Sequence, residues 1–178
     1  MKKLIEDLEF ELFISEDTIS QRVKEIGDQI VLDFQKKDLL IIGVLNGATI
    51  FLSDLIRVVD LPLDLHFIKL SSYKGLKSTG KIQIDLPLPQ DIAGRDVLVI
   101  EDIVDTGITM DYLKTEINKQ CPSSFSIATL LHKSEAFQFN YDLNYVGFEI
   151  PNKFVVGYGL DYNGKGRNFP DIYQLRTP

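Results

Sequence analysis

Uniformly apolar runs recur along this chain and predict buried strands. The clearest runs read LLIIGVL, DVLVIED and FSIATLL, at residues 39–45, 96–102 and 125–131. The segments LDLHFIKL and KIQIDL alternate between apolar and polar positions, which is typical of strands with one buried face. Two further strands are predicted toward the C-terminus, in YVGFEI and FVVGYG.

Segments with helical spacing separate these runs. Residues 16–35 place apolar side chains one turn apart, and Ser15 or Asp17 is suited to cap the start of this helix. Residues 49–59 and 109–120 predict two shorter helices. The apolar positions of the first helix are Ile19, Val23, Ile26, Ile30 and Val31.

Strands that alternate with helices indicate an α/β fold with a mainly parallel sheet. No repeat, low-complexity tract or Ser/Gly linker interrupts the chain, so we expect a single domain over residues 1–178. Ligands of such sheets bind at the carboxyl ends of the strands. The polar segments LNGA, EDIVDTGIT and HKS each follow a predicted strand, and we therefore expect them to meet at one crevice.

The composition narrows the classes of partner. The chain has 178 residues, of which 44% are hydrophobic and 25% charged, and its net charge is −7. Proteins that bind nucleic acids or membrane surfaces normally present a basic face, so neither partner is expected. Small anionic ligands are compatible with this charge, because loop amides bind phosphate locally.

The location predicted from the sequence is cytoplasmic. Cys121 is the single cysteine, which rules out an intrachain disulfide and fits a reducing compartment. The acidic residues of the N-terminal segment LIEDLEF interrupt any signal-peptide core, and the apolar runs are far shorter than the roughly 20 residues that span a bilayer. We expect Cys121 to be a small structural residue.

The stretch VLVIEDIVDTGIT, at residues 97–109, combines groups of opposite preference. Glu101 and Asp102 end a predicted strand, and a loop of small residues leads into a helix. Free amides and the helix dipole favour an anion at that loop, whereas the carboxylates repel one. A ligand with a phosphate at one end and hydroxyls or a bound cation at the other satisfies both. A ribose phosphate that carries Mg²⁺ is such a ligand.

This stretch resembles the 5-phosphoribosyl 1-pyrophosphate (PRPP) signature of the type I phosphoribosyltransferases. Residues 39–167 resemble the hypoxanthine(-guanine) phosphoribosyltransferases of that family, and the segment VGFEIPNKFVVGYGLDYNGKGRNFPDI carries the assignment of the base. The resemblance implies a central, mainly parallel sheet flanked by helices, with a small hood formed by the terminal segments. It also implies a purine salvage enzyme that joins PRPP to hypoxanthine, and to guanine, giving IMP or GMP and pyrophosphate.

The same resemblance implies a role for individual residues. Asp105 is expected to be the catalytic base, which takes a proton from the purine. Glu101, Asp102 and Asp161 are expected to contact Mg²⁺. The residues expected to bind PRPP are Glu101, Asp102, Thr106, Gly107, Ile108, Thr109, Leu45, Asn46, Gly47 and Arg167. The residues expected to bind the base are Lys133, Phe154, Val155 and Asp161. Ser72 and Tyr73, in SSYKGLKSTG, match the family's flexible loop over the site.

The base-binding residues have the chemistry that a 6-oxopurine requires. The ammonium group of Lys133 is a donor, which suits a 6-oxo acceptor and disfavours a 6-amino group. The ring of Phe154 is suited to stack on the base, and Val155 would act through its backbone. Each side chain has an ordinary alternative role, since a lone Lys is normally at the surface and a Phe in an apolar strand normally belongs to the core.

Two positions depart from the family pattern. Asn46 stands where many relatives have Lys in the pyrophosphate loop, which in the family often contains a non-proline cis peptide bond. Ile108 stands where many relatives have Lys in the phosphate loop. Both changes remove a cation, so binding at these loops would depend on amides and hydroxyls.

Other interpretations stay open from the sequence alone. A phosphoribosyltransferase-fold regulator that senses nucleotides and binds RNA is the main alternative, although the net charge of −7 disfavours it. An enzyme that acts on orotate or adenine is another. The resemblance implies a homodimer or homotetramer. His66 and His132 are expected to be structural or surface residues.

Overall fold

The computed structural model describes residues 2–72 and 82–176. Tyr73 and most of the segment SSYKGLKSTG lie outside these ranges, so the predicted flexible loop is not described further. The elements, in chain order, are β1 (Lys2–Ile5), β2 (Leu8–Ile14), α1 (Glu16–Phe34), β3 (Leu39–Leu45), α2 (Thr49–Val58), β4 (Asp64–Ser72), β5 (Ile82–Leu86), β6 (Asp96–Val104), α3 (Ile108–Asn118), β7 (Ser124–His132), β8 (Tyr145–Glu149), β9 (Val155–Val156) and β10 (Ile172–Leu175).

A six-stranded sheet in the order β5-β4-β3-β6-β7-β8 forms the centre of the molecule. The neighbouring strands are parallel from β4 to β8, and β5 alone runs antiparallel to its neighbour in this sheet. The predicted α/β class with a mainly parallel sheet is therefore confirmed.

Helices cover both faces of this sheet, because its central strands alternate their buried side chains between the faces. Ile41 and Leu98 pack in one cluster with apolar residues of α1 and α2. Leu40 and Val97 pack in a second cluster with residues of α3. The uniformly apolar sequences of β3 and β6 follow from this double burial.

The terminal segments form a second sheet, in the order β1-β2-β10-β9, which we call the hood. The resemblance implied a hood, but β1, β2 and β10 were not identified in the sequence pattern. The prediction of a full strand over FVVGYG was wrong, because only Val155–Val156 is extended. Gly157, Tyr158 and Gly159 all have positive φ, which turns the chain away from the sheet.

Two other predicted bounds were also wrong. Strand β6 continues past the carboxylates to Val104, since Ile103 and Val104 still pair with Leu131 and His132 of β7. Helix α3 begins at Ile108, one residue earlier than expected.

The hood and the central sheet share a core. Ile14, Val155 and Ile172 of the hood belong to the same buried cluster as Ile41 and Leu98 of the central sheet. Within the described ranges, none of the helices has the length and apolar character needed to cross a membrane.

Candidate active site

Three parallel neighbours, β3, β6 and β7, end at the same edge of the central sheet. Gly43 of β3 pairs with Ile100 of β6, and Val104 of β6 pairs with His132 of β7. The segments LNGA, EDIVDTGIT and HKS therefore emerge side by side. This edge brings together most of the residues selected from the sequence.

Two adjacent carboxylates are buried at this edge. Glu101 is 8% exposed and Asp102 is 9% exposed. The backbone N–H of Asp102 donates to Oε1 of Glu101 at 3.3 Å. Burial, together with repulsion by Asp102, raises the pKa of Glu101 well above its ordinary value. Such a pair is costly unless hydroxyl donors or a cation compensate its charge.

The loop after β6 and the first residues of α3 line a cavity of about 190 Å³. Gly107 occupies the N-cap position of α3 in the left-handed region, with φ +83°, and no side chain of the described residues caps it. The amide groups of the first turn are thus suited to bind an anion. The cavity is lined by Glu101, Ile103, Val104, Asp105, Thr106, Gly107, Ile108, Thr109 and Met110.

Asp105 and Lys133 form an ion pair beside this loop. Nζ of Lys133 donates to Oδ2 of Asp105 at 2.9 Å. The lysine side chain is buried, whereas the aspartate side chain is about half exposed. The backbone N–H of Lys133 donates to the carbonyl of Val104 at 2.9 Å, which fixes the residue at the end of β6. Lys133 is therefore not the surface residue that a lone lysine after a strand would normally be.

The LNGA segment packs directly against the buried carboxylates. The peptide bond between Leu45 and Asn46 is cis, as the resemblance led us to expect. The carbonyl of Asn46 accepts from Oγ1 of Thr49 at 2.6 Å, at the start of α2. A Cβ atom added to Gly47 would lie 1.7 Å from Oδ2 of Asp102. Any larger residue at this position would displace the carboxylate of Asp102, so glycine lets the segment pack closely against it.

The hood reaches the same place from the opposite side. A Cβ atom on Gly159 would lie 2.1 Å from the carbonyl oxygen of Gly47. Gly159 donates its N–H to the carbonyl of Arg167 at 2.9 Å, and its own carbonyl accepts from Nη1 of Arg167 at 2.5 Å. Arg167 also forms an ion pair with Asp161. The chain from Gly159 to Arg167 therefore closes a compact loop over the LNGA segment.

The described residues do not gather the three carboxylates expected to contact Mg²⁺. No group of three or more His, Cys, Asp or Glu side chains in the described ranges is arranged to hold a metal ion. Glu101 and Asp102 lie together, but Asp161 is bound by Arg167 and by the N–H of Gly164 at 2.7 Å. Two adjacent carboxylates are oxygen donors of the kind that Mg²⁺ takes in proteins together with the phosphates of a substrate.

Phe154 presents its ring at the surface of the hood and is 45% exposed. Its ring lies 5.9 Å from that of Tyr162, edge to face, and 6.3 Å from that of Phe10. The carbonyl of Phe154 accepts from the N–H of Leu175 at 2.8 Å. Val155 is buried and pairs with Gln174 of β10. The ring of Phe154 thus contacts two other rings of the hood, while almost half of the residue remains accessible.

Several residues that shape this site were not identified from the sequence. Gly159 was given no role from the sequence, although its positive φ and its close approach to Gly47 favour glycine there. Tyr162 and Phe10 support Phe154, but β2 carries Phe10 and was not recognised. Phe137 packs on Gly107, and the alternation of aromatic residues in FQFNY was the available signal.

Comparison with known proteins gives the family of this chain. Residues 15–163 match the phosphoribosyl transferase domain family. The hypoxanthine-guanine phosphoribosyltransferase of Aquifex aeolicus is 38% identical over 175 residues, which cover 97% of this chain and 98% of that protein. A crystal structure of a hypoxanthine phosphoribosyltransferase from Staphylococcus aureus superposes with a TM-score of 0.87 and 41% identity, covering 93% of this chain and 91% of that one.

One similar protein is much longer than this chain. The bifunctional protein TilS/HprT of Listeria monocytogenes is 42% identical over 166 residues, which are 93% of this chain but 26% of that protein. The chain thus spans about a quarter of the length of this relative.

Proposed function

This chain belongs to the phosphoribosyl transferase family, and we propose that it transfers the 5-phosphoribosyl group from PRPP to hypoxanthine and guanine. The products are IMP or GMP and pyrophosphate, so the enzyme acts in purine salvage. Its fold is that of the type I phosphoribosyltransferases, with a hood over the carboxyl ends of the central strands. The relatives from Aquifex aeolicus and Staphylococcus aureus are named as hypoxanthine-guanine and hypoxanthine phosphoribosyltransferases, and none of the relatives described above is named as an RNA-binding regulator.

The observation that carries the proposal is the ion pair between Lys133 and Asp105 at the mouth of the anion-binding loop. Only one of the three N–H donors of Lys133 is needed for Asp105. The others are available for the 6-oxo group of a purine. A donor recognises hypoxanthine and guanine and rejects a 6-amino group.

Asp105 is the proposed general base. As N9 of the purine forms its bond to C1′ of the ribose, the bond from C1′ to pyrophosphate breaks and the purine loses a proton. This proton leaves N7 of the purine, and the carboxylate of Asp105 accepts it. Its half-exposed position beside the buried ammonium group of Lys133 keeps it close to the base without closing the pocket.

Different loops bind the different parts of PRPP, the phosphoribosyl donor. Residues 106–109 bind the 5′-phosphate through the amides and hydroxyls of the phosphate loop. Glu101 and Asp102 accept hydrogen bonds from the ribose hydroxyls, which compensates the burial of their charges. Residues 45–47 bind pyrophosphate through backbone groups, and Arg167 supplies a cation on the same side.

Mg²⁺ is the proposed cofactor. When bound, it would neutralise charge on the pyrophosphate leaving group. Glu101 and Asp102 would hold it, together with oxygens of PRPP. Asp161 would contribute only after its contact with Arg167 loosens, because that contact occupies the carboxylate.

The base is proposed to lie between Lys133 and the hood. Phe154 would stack on the purine, a contact of about 1–3 kcal/mol for base stacking on an aromatic side chain. Val155 would contribute backbone groups, and Ser72 and Tyr73 would belong to a loop that covers the site. We also propose that residues 1–178 form one domain, that the protein assembles as a homodimer or homotetramer, and that it is located in the cytoplasm.

Steady-state kinetics with PRPP and Mg²⁺ test the proposed function. We expect turnover with hypoxanthine and guanine and no turnover with adenine or orotate. The same assay, run with xanthine, ranks the three 6-oxopurines by kcat/KM. Turnover with adenine or orotate alone would reject the assignment of the base. Tight binding of labelled RNA without turnover of any base would reject the enzyme altogether. Light scattering of the purified protein at micromolar concentration measures the oligomeric state.

A further inference from the structure

The segment between Lys133 and Tyr141 runs from the base-binding lysine to the back of the phosphate loop. Two of its rings are in tight contact with that loop. A Cβ atom on Gly107 would lie 2.4 Å from Cε2 of Phe137 and 2.9 Å from Cδ2 of Phe139. We call Phe137, Phe139 and Tyr141 the aromatic strut.

Backbone hydrogen bonds tie the strut to both functional loops. The N–H of Gln138 donates to the carbonyl of Thr106, in the phosphate loop, at 3.1 Å. The N–H of Ala136 donates to the carbonyl of Lys133 at 3.0 Å, which makes a tight turn after the lysine. A short, hydrogen-bonded path therefore links the lysine to the phosphate loop.

The rings of the strut also hold one another. The Phe137 ring lies 5.4 Å from that of Tyr141 and 5.2 Å from that of His132, both edge to face. Nζ of Lys114, on α3, lies 4.1 Å over the ring of Tyr141. Edge-to-face pairs and a cation over a ring each add stability beyond burial alone. The aromatic strut thus also contacts α3, the helix that follows the phosphate loop.

These contacts explain how Gly107 is held in position. Its φ of +83° is one that glycine leaves easily, because it has many other conformations available. No side chain of the described residues caps α3 at this point. The rings of Phe137 and Phe139 occupy the space on one side of Gly107 and so restrict the conformations that it can adopt.

We propose that Phe137 is a positioning residue that sets the affinity for PRPP by holding the phosphate loop in its binding conformation. This inference rests on the proposed function, since it assigns the loop to the donor. Phe137 acts through Gly107 and touches neither substrate. A loop that is ordered before binding loses less entropy when the ligand binds, so a looser loop raises KM for PRPP and leaves the chemical step intact.

The kinetic test compares Phe137→Leu and Phe137→Ala with the matched control Phe125→Leu. Phe125 is also partly buried against the same apolar cluster, but it lies at the opposite end of β7, paired with Val97. We expect KM for PRPP to rise about tenfold in Phe137→Ala, equivalent to about 1.4 kcal/mol, and less in Phe137→Leu. The kcat and the KM for hypoxanthine should stay within about twofold, and Phe125→Leu should change neither KM.

A loss of kcat with an unchanged KM for PRPP would overturn the proposal. Equal changes of KM for PRPP in Phe137→Leu and Phe125→Leu would overturn it as well. In that case the effect of Phe137 would be only the general loss of stability that any substitution in this cluster causes. The leucine variant keeps most of the apolar volume, so it provides this comparison if the alanine variant does not fold.

Hydrogen–deuterium exchange of the protein alone gives a readout that does not depend on activity. We expect the amides of residues 106–110 to exchange faster in Phe137→Leu than in the wild type and in Phe125→Leu. Unchanged exchange of these amides in Phe137→Leu would reject the proposal that Phe137 holds the phosphate loop. If the wild type does not transfer phosphoribosyl groups, the proposed function fails, while this measurement still decides whether Phe137 orders the loop.

Discussion

Asp105 and Lys133 hold one another at 2.9 Å, and their proposed roles can be separated by substitution. Asp105→Asn keeps the size of the side chain and an oxygen that accepts from Lys133, but it cannot take a proton. We expect kcat with hypoxanthine to fall by about 10²-fold or more, the usual scale for loss of a general base. Asp91→Asn, at an exposed position, is the control and should leave kcat unchanged. A near-wild-type kcat in Asp105→Asn would reject the role of this carboxylate.

The buried carboxylates at Glu101 and Asp102 predict a conflict between stability and binding. Glu101→Gln removes a carboxyl group whose ionised form is disfavoured by burial and by Asp102, so the protein without substrate should become more stable at neutral pH. We expect a gain of about 1 kcal/mol, or roughly 2–4 °C in melting temperature for a chain of this size. The same variant should lose at least about tenfold in kcat/KM for PRPP.

Calorimetry and steady-state kinetics measure the two effects of this substitution. Glu25→Gln is the control, because Glu25 is exposed and its ion pair with Arg22 contributes little. A lower melting temperature in Glu101→Gln would show that the charge of Glu101 is compensated within the protein. That result would remove the physical reason for assigning Glu101 to the ribose hydroxyls.

At the scale of elements, two glycines, Gly47 and Gly159, allow the loop from Gly159 to Arg167 to contact the LNGA segment. Gly159→Ala would place a Cβ atom 2.1 Å from the carbonyl of Gly47, which is backbone and cannot move aside cheaply. We expect this variant to raise KM for PRPP by about tenfold or more, because the pyrophosphate loop must shift. Thermal unfolding and donor titrations measure the two consequences.

Gly94→Ala is the matched control for this change. Gly94 also has positive φ, +76°, but within the described residues no atom beyond its two chain neighbours lies within 4 Å of an added Cβ. It should therefore show the conformational cost of a left-handed alanine, about 1–2 kcal/mol, without any effect on KM. Equal effects of both substitutions on KM would mean that the loop contact has no part in donor binding.

The elements that the sequence predicted well are those determined by local pattern. Helix α1 begins at Glu16 as expected, and the side chain of Ser15 accepts from the N–H of Thr18 at 3.3 Å. Strand β3 covers the predicted residues because its sequence is apolar on both faces. In both cases the signal lies in the residues of the element itself and its immediate flanks.

The hood was not visible in the sequence pattern because its partners are distant. Strand β2 pairs with β10, so Phe10 lies opposite Leu175, more than 160 residues later. Strand β9 has only two residues and no periodicity to detect. The same reason explains why Phe137 was missed, since its contact with Gly107 crosses from one strand end to the next.

At the scale of the whole molecule, the proposed active site lies where two sheets meet. The central sheet supplies the loops proposed to bind the donor, and the hood supplies Phe154, Asp161 and Arg167. The two sheets share one buried cluster, and the hydroxyl of Tyr158 donates to Oδ2 of Asp54, on α2, at 2.6 Å. Burial and this contact raise the pKa of Tyr158 above its ordinary value, so the hydroxyl remains a donor over the physiological range.

The shared core predicts that hood and central sheet unfold together. We expect a single calorimetric transition, with calorimetric and van't Hoff enthalpies that agree. Tyr158→Phe should lower the stability by about 1–2 kcal/mol, because a partly buried hydrogen bond to a carboxylate is lost, and should keep the single transition. Tyr112→Phe removes a hydroxyl from a partly buried residue on the opposite face of the central sheet and should have less effect. Two separate transitions, in the wild type or in Tyr158→Phe, would show that the hood is an independent unit. The site would then be assembled by docking of two units, and the proposal of one domain would fail.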